Sequence, residues 1–284
     1  MGDLTPPPLA HIDDVVVRAL AEDFGALGDI TTNATISAAA RASAVIVARK
    51  AGVLAGLPVA LRVFHAVDPA VKLISKARDG ARLAPGTVIL EIAGSARSIL
   101  KAERVTLNFL GHLSGVATST AEIADAIAHT KARICDTRKT TPGLRVLEKY
   151  AVRCGGGVNH RMGLYDMVLI KDNHIAAAGS ITKALAAAKA SAPKGVIIEI
   201  EVDTLAQLDE VLAVGADRIL LDNMTPAQMK EAVSRIAGRA VSEASGTITR
   251  EKAAAIAEAG VDLLSAGWIT HSAPSLDLGL DFAA

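Results

Sequence analysis

The sequence predicts an α/β protein in two parts, an N-terminal α+β region followed by a parallel α/β barrel or part of one. From about residue 133 onward, short apolar runs alternate with helical stretches. Two segments there, AVGADRILLDN (213–223) and EAGVDLLSAG (258–267), repeat one phrase of helix end, glycine, acidic turn and apolar strand. The glycine supplies a left-handed helix stop, and the apolar run suits a strand buried on both faces of a parallel sheet. Before about residue 115 the rhythm differs, with strands, turns and one or two helices mixed, as in an α+β domain.

In chain order, residues 11–22 read as a helix leading into the polar turn FGALGDITT. Apolar runs at 43–49, 71–75 and 87–92 read as strands, and 57–67 reads as a helix between the first two. Arg78-Asp79-Gly80 and Ala84-Pro85-Gly86 are turn signals. A long helical pattern runs from about 98 to 130, with a bend expected near Gly111 and Gly115, because glycine weakens helix interiors. Residues 144–152 carry helical character. The barrel strands are expected at 133–136, 167–171, 195–201, 218–222, 240–243 and 262–266. Thr204 with Gln207, and Thr225-Pro226 with Gln228, mark two helix starts by capping-box chemistry.

Composition narrows the function classes. The chain has 284 residues, 51% hydrophobic but only 2% aromatic, so its core is built from Ala, Val, Ile and Leu. Thirty basic residues balance thirty acidic ones, and the seven aromatics leave little for base stacking, which argues against a nucleic-acid binder. No apolar run reaches membrane-spanning length, and the start MGDLTPPPLAHIDD has no apolar signal core. Its Met-Gly opening has Pro6 where myristoylation needs Ser or Thr. Cys135 and Cys154 show no metal-ligand spacing and make no disulfide framework, so a reducing cytoplasm is expected.

Charge is unevenly distributed within that neutral total. Between Lys131 and Lys171 there are nine Lys/Arg against three acids, a net of +6, which leaves −6 for the rest. Cations packed this densely repel one another unless something anionic neutralises them. They sit in DTRKTTPG (136–143), CGGGVNHR (154–161) and IKDNH (170–174), among Gly, Thr and Asn that suit a loop-built anion site. A multiply charged anion is the expected ligand. The strand ends agree: Asp136 through Lys139, Lys171 through Asn173, Glu199/Glu201, Asp222-Asn223, Glu243 with Ser245-Gly246, and Ser265 through Gly267 are polar, charged or glycine. In a parallel barrel these ends converge on the face where active sites are built.

The motifs GDITT (28–32), ERVTLNFLGHLSGVAT (103–118), DTRKTTPGLR (136–145), KYAVRCGGGVNHRMGLYDMVLIKDNH (149–174), EIEVD (199–203), LLDNM (220–224), EASG (243–246) and THSAPSLDLGLDF (270–282) resemble the quinolinate phosphoribosyltransferase family over roughly residues 22–282. One departure is SAGWITHSA, where Ala266 and Trp268 stand in place of the family's more usual SVGALTHSA, and a local packing change is expected. The resemblance implies an incomplete α/β barrel over 116–271 and an N-terminal α+β domain over 1–115, rejoined by the tail at about 272–284. It also implies a homodimer in which the partner subunit completes each active site. The family reaction is that of a pentosyltransferase using Mg²⁺. Quinolinate and phosphoribosyl pyrophosphate give nicotinate mononucleotide, pyrophosphate and CO₂, a step of NAD biosynthesis.

By this resemblance Arg138, Arg161 and Lys171 bind the dicarboxylate, with His160 beside them and Arg104 reaching in from the neighbouring subunit. Arginine forks suit paired carboxylates. Competing structural roles are an Arg161–Asp166 ion pair, a hydrogen-bonded core histidine at 160 and a surface helix charge at 104. Lys139 and Lys171 are expected on the diphosphate, and Glu201 and Asp222 on Mg²⁺ or the ribose hydroxyls. The alternative for those acids is strand-end solvation or a partner for Lys171. Ser245, Gly246 and Gly267 fall where barrels hold phosphate, and His271 adds a donor. Gly155–Gly157 reads equally as an anion nest or a bare turn. The other functional readings are a paralogue with a different acceptor, such as the molybdenum-associated relatives with RKT-type motifs, and a sugar-phosphate-binding barrel. The set Arg104, Arg138, Arg161 and Lys171 favours quinolinate over both.

Overall fold

The computed structural model describes residues 4–282, so the Met1-Gly2 opening lies outside the described residues. In chain order the elements are α1 (Leu9–Phe24), α2 (Ile30–Thr35), β1 (Arg41–Ala48), β2 (Gly52–Val53), α3 (Leu57–Val67), β3 (Lys72–Ser75), β4 (Arg82–Leu83), β5 (Val88–Ser95) and α4 (Ala96–Ala126). There follow β6 (Arg133–Cys135), α5 (Arg145–Cys154), β7 (Val168–Ile170), α6 (Asp172–Ala178), α7 (Ile181–Ser191), β8 (Ile198–Val202), α8 (Leu205–Val214) and β9 (Arg218–Asp222). The chain ends with α9 (Pro226–Ile236), β10 (Val241–Ser245), α10 (Arg250–Glu258), β11 (Leu263–Ser265), α11 (Trp268–His271) and β12 (Leu278–Phe282). These elements form two compact units, one of residues 1–121, 140–156 and 269–284, the other of 122–139 and 157–268.

The first unit is an antiparallel sheet in the order β12-β1-β5-β3 with helices α1, α3 and α5 and most of α4. Ile12, Val15, Val16 and Leu20 of α1 recur at helical spacing and are buried, and α1 packs on α3. Burying such a side chain contributes roughly 1.5–3 kcal/mol. Helix α4 runs as one helix through Gly111 and Gly115. The chain near Pro274 packs against Gly115, and Leu276 N–H donates to the Gly111 carbonyl at 2.9 Å. Asp79 anchors the start of α3 by accepting the N–H groups of Gly56 and Leu57, both at 3.1 Å, and the Tyr150 hydroxyl at 2.7 Å. The last residues of FGALGDITT open a helix, α2, capped by Asp29, whose carboxylate accepts Thr32 N–H at 2.8 Å.

The second unit is the α/β part. Its six strands lie in the order β6-β11-β10-β9-β8-β7 with every neighbouring pair parallel. Among the described residues β6 and β7 do not pair, so the sheet is an incomplete barrel; Val158 extends its β6 edge through a parallel bridge to Cys135. Ile134, Ile200, Ile219, Leu221, Ala244 and Leu264 are buried in the strand bodies. Both capping boxes are present, at Thr204/Gln207 and Thr225/Gln228. Helices α7, α8 and α9 pack successively along this unit.

Candidate active site

The C-terminal ends of the parallel strands carry several of the cations and acids of the second unit. After β6 the chain exposes Arg138 and Lys139, with Lys139 N–H donating to Thr137 Oγ1 at 2.9 Å. Gly267, after β11, lies under the Lys139 side chain: a Cβ on Gly267 would come within 2.7 Å of Lys139 Cδ. Gly246, after β10, has φ 119°, and a Cβ there would meet Asn223 Oδ1 at 2.5 Å. Gly246 needs glycine by its φ and is exposed where phosphate is expected, whereas a side chain at Gly267 would require the Lys139 chain to shift.

Arg161 shares this edge. Its Nη1 donates to the Met167 carbonyl at 3.2 Å, and burial, then the neighbouring Arg138, push its pKa down. A guanidinium whose charge is disfavoured by burial and by a neighbouring cation is one that an anion stabilises. Asp166, the sequence-level alternative partner of Arg161, accepts N–H from Met162 (2.6 Å) and Gly163 (2.9 Å) and so shapes the turn.

Lys171 and Glu201 follow β7 and lie in β8, adjacent parallel strands, and Lys171 Nζ donates to Glu201 Oε2 at 2.5 Å. IKDNH, read from sequence as loop, opens helix α6, and Lys171 N–H is taken by His174 Nδ1 at 2.9 Å. Asp222, at the end of β9, accepts from Asn223 Nδ2 at 2.7 Å, and Ser245 is its register partner on β10. Glu201 and Asp222 are partly exposed carboxylates, hard oxygen donors of the kind Mg²⁺ takes while keeping water and substrate ligands.

Two acids read as strand ends are strand interiors. Strand β8 continues to Val202 and β10 to Ser245, and Glu199 and Glu243 are each 0% exposed. With a period of two, Glu199 lies one step below Glu201 and Glu243 one step below Ser245 on the same faces. Glu243 Oε2 is 3.3 Å from Arg218 Nη1, and His160 Nε2 lies 2.9 Å from Glu199 Oε2 and 3.5 Å from Glu243 Oε2. Burial pushes both carboxyls up to about 7, and for Glu243 the adjacent Glu199 adds to the shift. Asp136, also 0% exposed, accepts His160 N–H at 2.9 Å and the Asn159 amide at 2.5 Å. Asp136 and Arg218 are not among the residues expected at the site; the sequence signal for the buried row is the alternation Glu199-x-Glu201 and Glu243-x-Ser245.

Arg138, Lys139, His160, Arg161, Lys171, Glu201, Asp222, Ser245, Gly246 and Gly267 all belong to the second unit. Arg104, exposed on α4, and His271, whose Nδ1 is 2.6 Å from Ser272 Oγ, belong to the first unit. There Glu148 accepts Thr141 N–H at 3.0 Å and lies 2.8 Å from His112 Nε2, anchoring the chain just after Lys139. Trp268, the departure in SAGWITHSA, donates its indole N–H to the Ile248 carbonyl at 2.7 Å.

A parallel α/β sheet whose strand ends carry cations, two partly exposed acids and an exposed glycine has the layout on which α/β barrels build phosphate sites. The chain matches the quinolinate phosphoribosyl transferase N-terminal domain over residues 29–114 and the C-terminal domain over 116–281. It belongs to the quinolinate phosphoribosyltransferase family. It is 49% identical over 273 residues to the nicotinate-nucleotide pyrophosphorylase [carboxylating] of Mycobacterium leprae, covering 94% of this chain and 96% of that protein. Its fold matches NadC from Streptococcus pyogenes with TM-score 0.93 at 46% identity, covering 99% of this chain and 100% of that one. The nicotinate-nucleotide pyrophosphorylase from Francisella tularensis gives TM-score 0.94 at 38% identity, with both chains fully covered.

Proposed function

We propose that this chain transfers the phosphoribosyl group of phosphoribosyl pyrophosphate to quinolinate, with loss of CO₂, to give nicotinate mononucleotide for NAD biosynthesis. The observation that carries the reading is the family match over residues 29–114 and 116–281; beside it, Arg161, whose charge is disfavoured by burial and then by Arg138, is suited to a dicarboxylate. Arg138 and Arg161 take the two carboxylates, and Lys171 adds charge beside them. Lys139 over Gly267, with the open backbone at Ser245-Gly246, receives phosphate groups. Glu201 and Asp222 hold Mg²⁺ or the ribose hydroxyls; bound Mg²⁺ neutralises charge on the diphosphate.

The residues position the reactants and exclude water; no protein nucleophile is required. The pyridine nitrogen forms a bond to the anomeric carbon as the carbon–oxygen bond to diphosphate breaks. The quaternised nitrogen then stabilises the electron pair left on the adjacent carbon when its bond to the carboxylate breaks, and that carbon takes a proton. We place the enzyme in the cytoplasm as a homodimer in which Arg104 serves the partner's site. Among the described residues no helix is long and apolar enough to cross a membrane. The test is pyrophosphate release from phosphoribosyl pyrophosphate, which should depend on quinolinate and not on nicotinate. Equal release with nicotinate would transfer the reading to a paralogous acceptor.

A further inference from the structure

We infer that His160 is a positioning residue, held as its Nε2–H tautomer, which fixes the backbone of Arg161 instead of contacting the anion itself. The role, though not the tautomer, rests on the quinolinate reading above. Arg161 N–H donates to His160 Nδ1 at 2.7 Å. A ring nitrogen that accepts carries no proton, so both the Nδ1–H tautomer and the imidazolium would set two donors against each other at that distance. The opposite nitrogen faces acceptors: Nε2 is 2.9 Å from Glu199 Oε2 and 3.5 Å from Glu243 Oε2. The Nε2–H of this neutral ring meets Glu199 as a dipole facing an acceptor rather than as an aligned hydrogen bond. The two sides of the ring thus select the same tautomer by separate contacts.

Enclosure completes the arrangement. The His160 side chain is 6% exposed, and those of Glu199 and Glu243 are 0% and 1% exposed. His160 N–H is itself committed to Asp136 Oδ1 at 2.9 Å. Asp136 therefore fixes His160, whose ring fixes Arg161 N–H, while Met167 O receives the Arg161 guanidinium. Buried acids are costly unless their surroundings use them, and a supporting row of this kind holds a binding side chain to the narrow geometry that recognition needs.

The test uses the full-length protein labelled with ¹⁵N. Long-range ¹H–¹⁵N spectra, with the His160 signals identified by their loss in His160→Asn, should show an unprotonated Nδ1 and a protonated Nε2. That pattern should persist when quinolinate saturates the site. Protonation of Nδ1 on quinolinate binding would overturn the proposal, because His160 would then be a donor to the ligand. Calorimetry supplies a second arm. His160→Asn keeps an acceptor near the Nδ1 position and should stay within about threefold of wild-type quinolinate affinity, whereas His160→Gln, with its polar end near Nε2, should lose about tenfold or more. Steady-state kinetics should place the Gln loss in the KM for quinolinate, with that for phosphoribosyl pyrophosphate unchanged. The reverse order, Gln tolerated and Asn not, would also overturn it. If neither variant folds, the spectra of the wild-type protein with and without quinolinate decide, the buried ring being assigned from its backbone neighbours. Failure of the wild-type protein to bind quinolinate would sink the proposed function and the Arg161 role together, while the ligand-free tautomer would still be read from the spectrum.

Discussion

Lys171 Nζ and Glu201 Oε2 are 2.5 Å apart across adjacent parallel strands, so without ligand the cation expected on the substrate is already held by an acid expected on Mg²⁺ or ribose. An incoming anion must displace Glu201 from Lys171, which leaves Glu201 available for the phosphoribosyl half of the site. The lysine side chain is 47% exposed, so the pair is worth only about 0.2–1 kcal/mol. Glu201→Gln should therefore tighten quinolinate binding slightly in the absence of Mg²⁺, by roughly two- to fivefold, while turnover falls severely. Asp222→Asn, which leaves the Lys171 pair intact, should lower turnover without that gain. Calorimetry of both variants without metal would sink the idea if their affinities moved together.

Removing either arginine of the crowded pair should cost binding but not folding. Arg138→Ala and Arg161→Ala each strand a substrate carboxylate, a loss of roughly 1.5–3 kcal/mol or about 10- to 150-fold in affinity. Because burial and Arg138 already disfavour the Arg161 charge, neither change should lower thermal stability appreciably. Wild-type quinolinate affinity in both variants, measured by calorimetry alongside thermal melts, would remove these residues from the site.

Local signals were legible and long-range ones were not. Helix α3 and strand β9 have the bounds read from sequence, because apolar spacing and flanking turns specify them within their own windows. The start of helix α2 reads from sequence as part of a turn, although Asp29 lies three residues before the Thr32 N–H that it caps. Strand β12 pairs with β1 across most of the chain, and β2 and β4 have two residues each, too few to show a period. At the site, the cations announced themselves by density. The buried row did not, since a glutamate in an apolar run reads as a strand end until the sheet shows β8 and β10 continuing past it.

That buried row sets a pH dependence of stability. Glu199 and Glu243 are pushed up to about 7 in the folded protein, from an ordinary value of 4.5, chiefly by burial. Folding therefore takes up protons between about 4.5 and 7, so the contribution is full below that window and lost as pH rises through it. Denaturant unfolding should show lower stability at pH 8 than at pH 5, with a component on the order of a few kcal/mol from this pair. Glu243→Gln removes one of the two groups and the repulsion between them, and should flatten the slope. An unchanged slope in that variant would mean that other groups set it.

Neither cysteine should react in the native protein. Cys135 is 0% exposed and Cys154 is 6% exposed, and burial pushes the Cys154 thiol up to about 12, so almost no thiolate is present at neutral pH. A thiol-specific disulfide reagent should label neither at pH 8 until denaturant is added, after which both should react. Rapid native labelling together with loss of activity would give one of them a role that the site does not predict.

Arg104 provides the test of assembly. It is exposed on α4, in the first compact unit, whereas Lys139 belongs to the second. If Arg104 serves the partner's site, a lone subunit has an incomplete anion site and activity depends on dimerisation. Arg104→Ala and Lys139→Ala should each be nearly inactive, yet mixing them should restore activity. In a mixed dimer one site draws both its arginine and its lysine from unmutated copies, while the other carries both defects. Random exchange makes about half the dimers mixed, so recovery should approach about a quarter of wild type if positioned charges act within each site. Mass spectrometry can establish that the subunits have exchanged. Complete exchange without recovered activity would return Arg104 to its own subunit's site or to the helix surface.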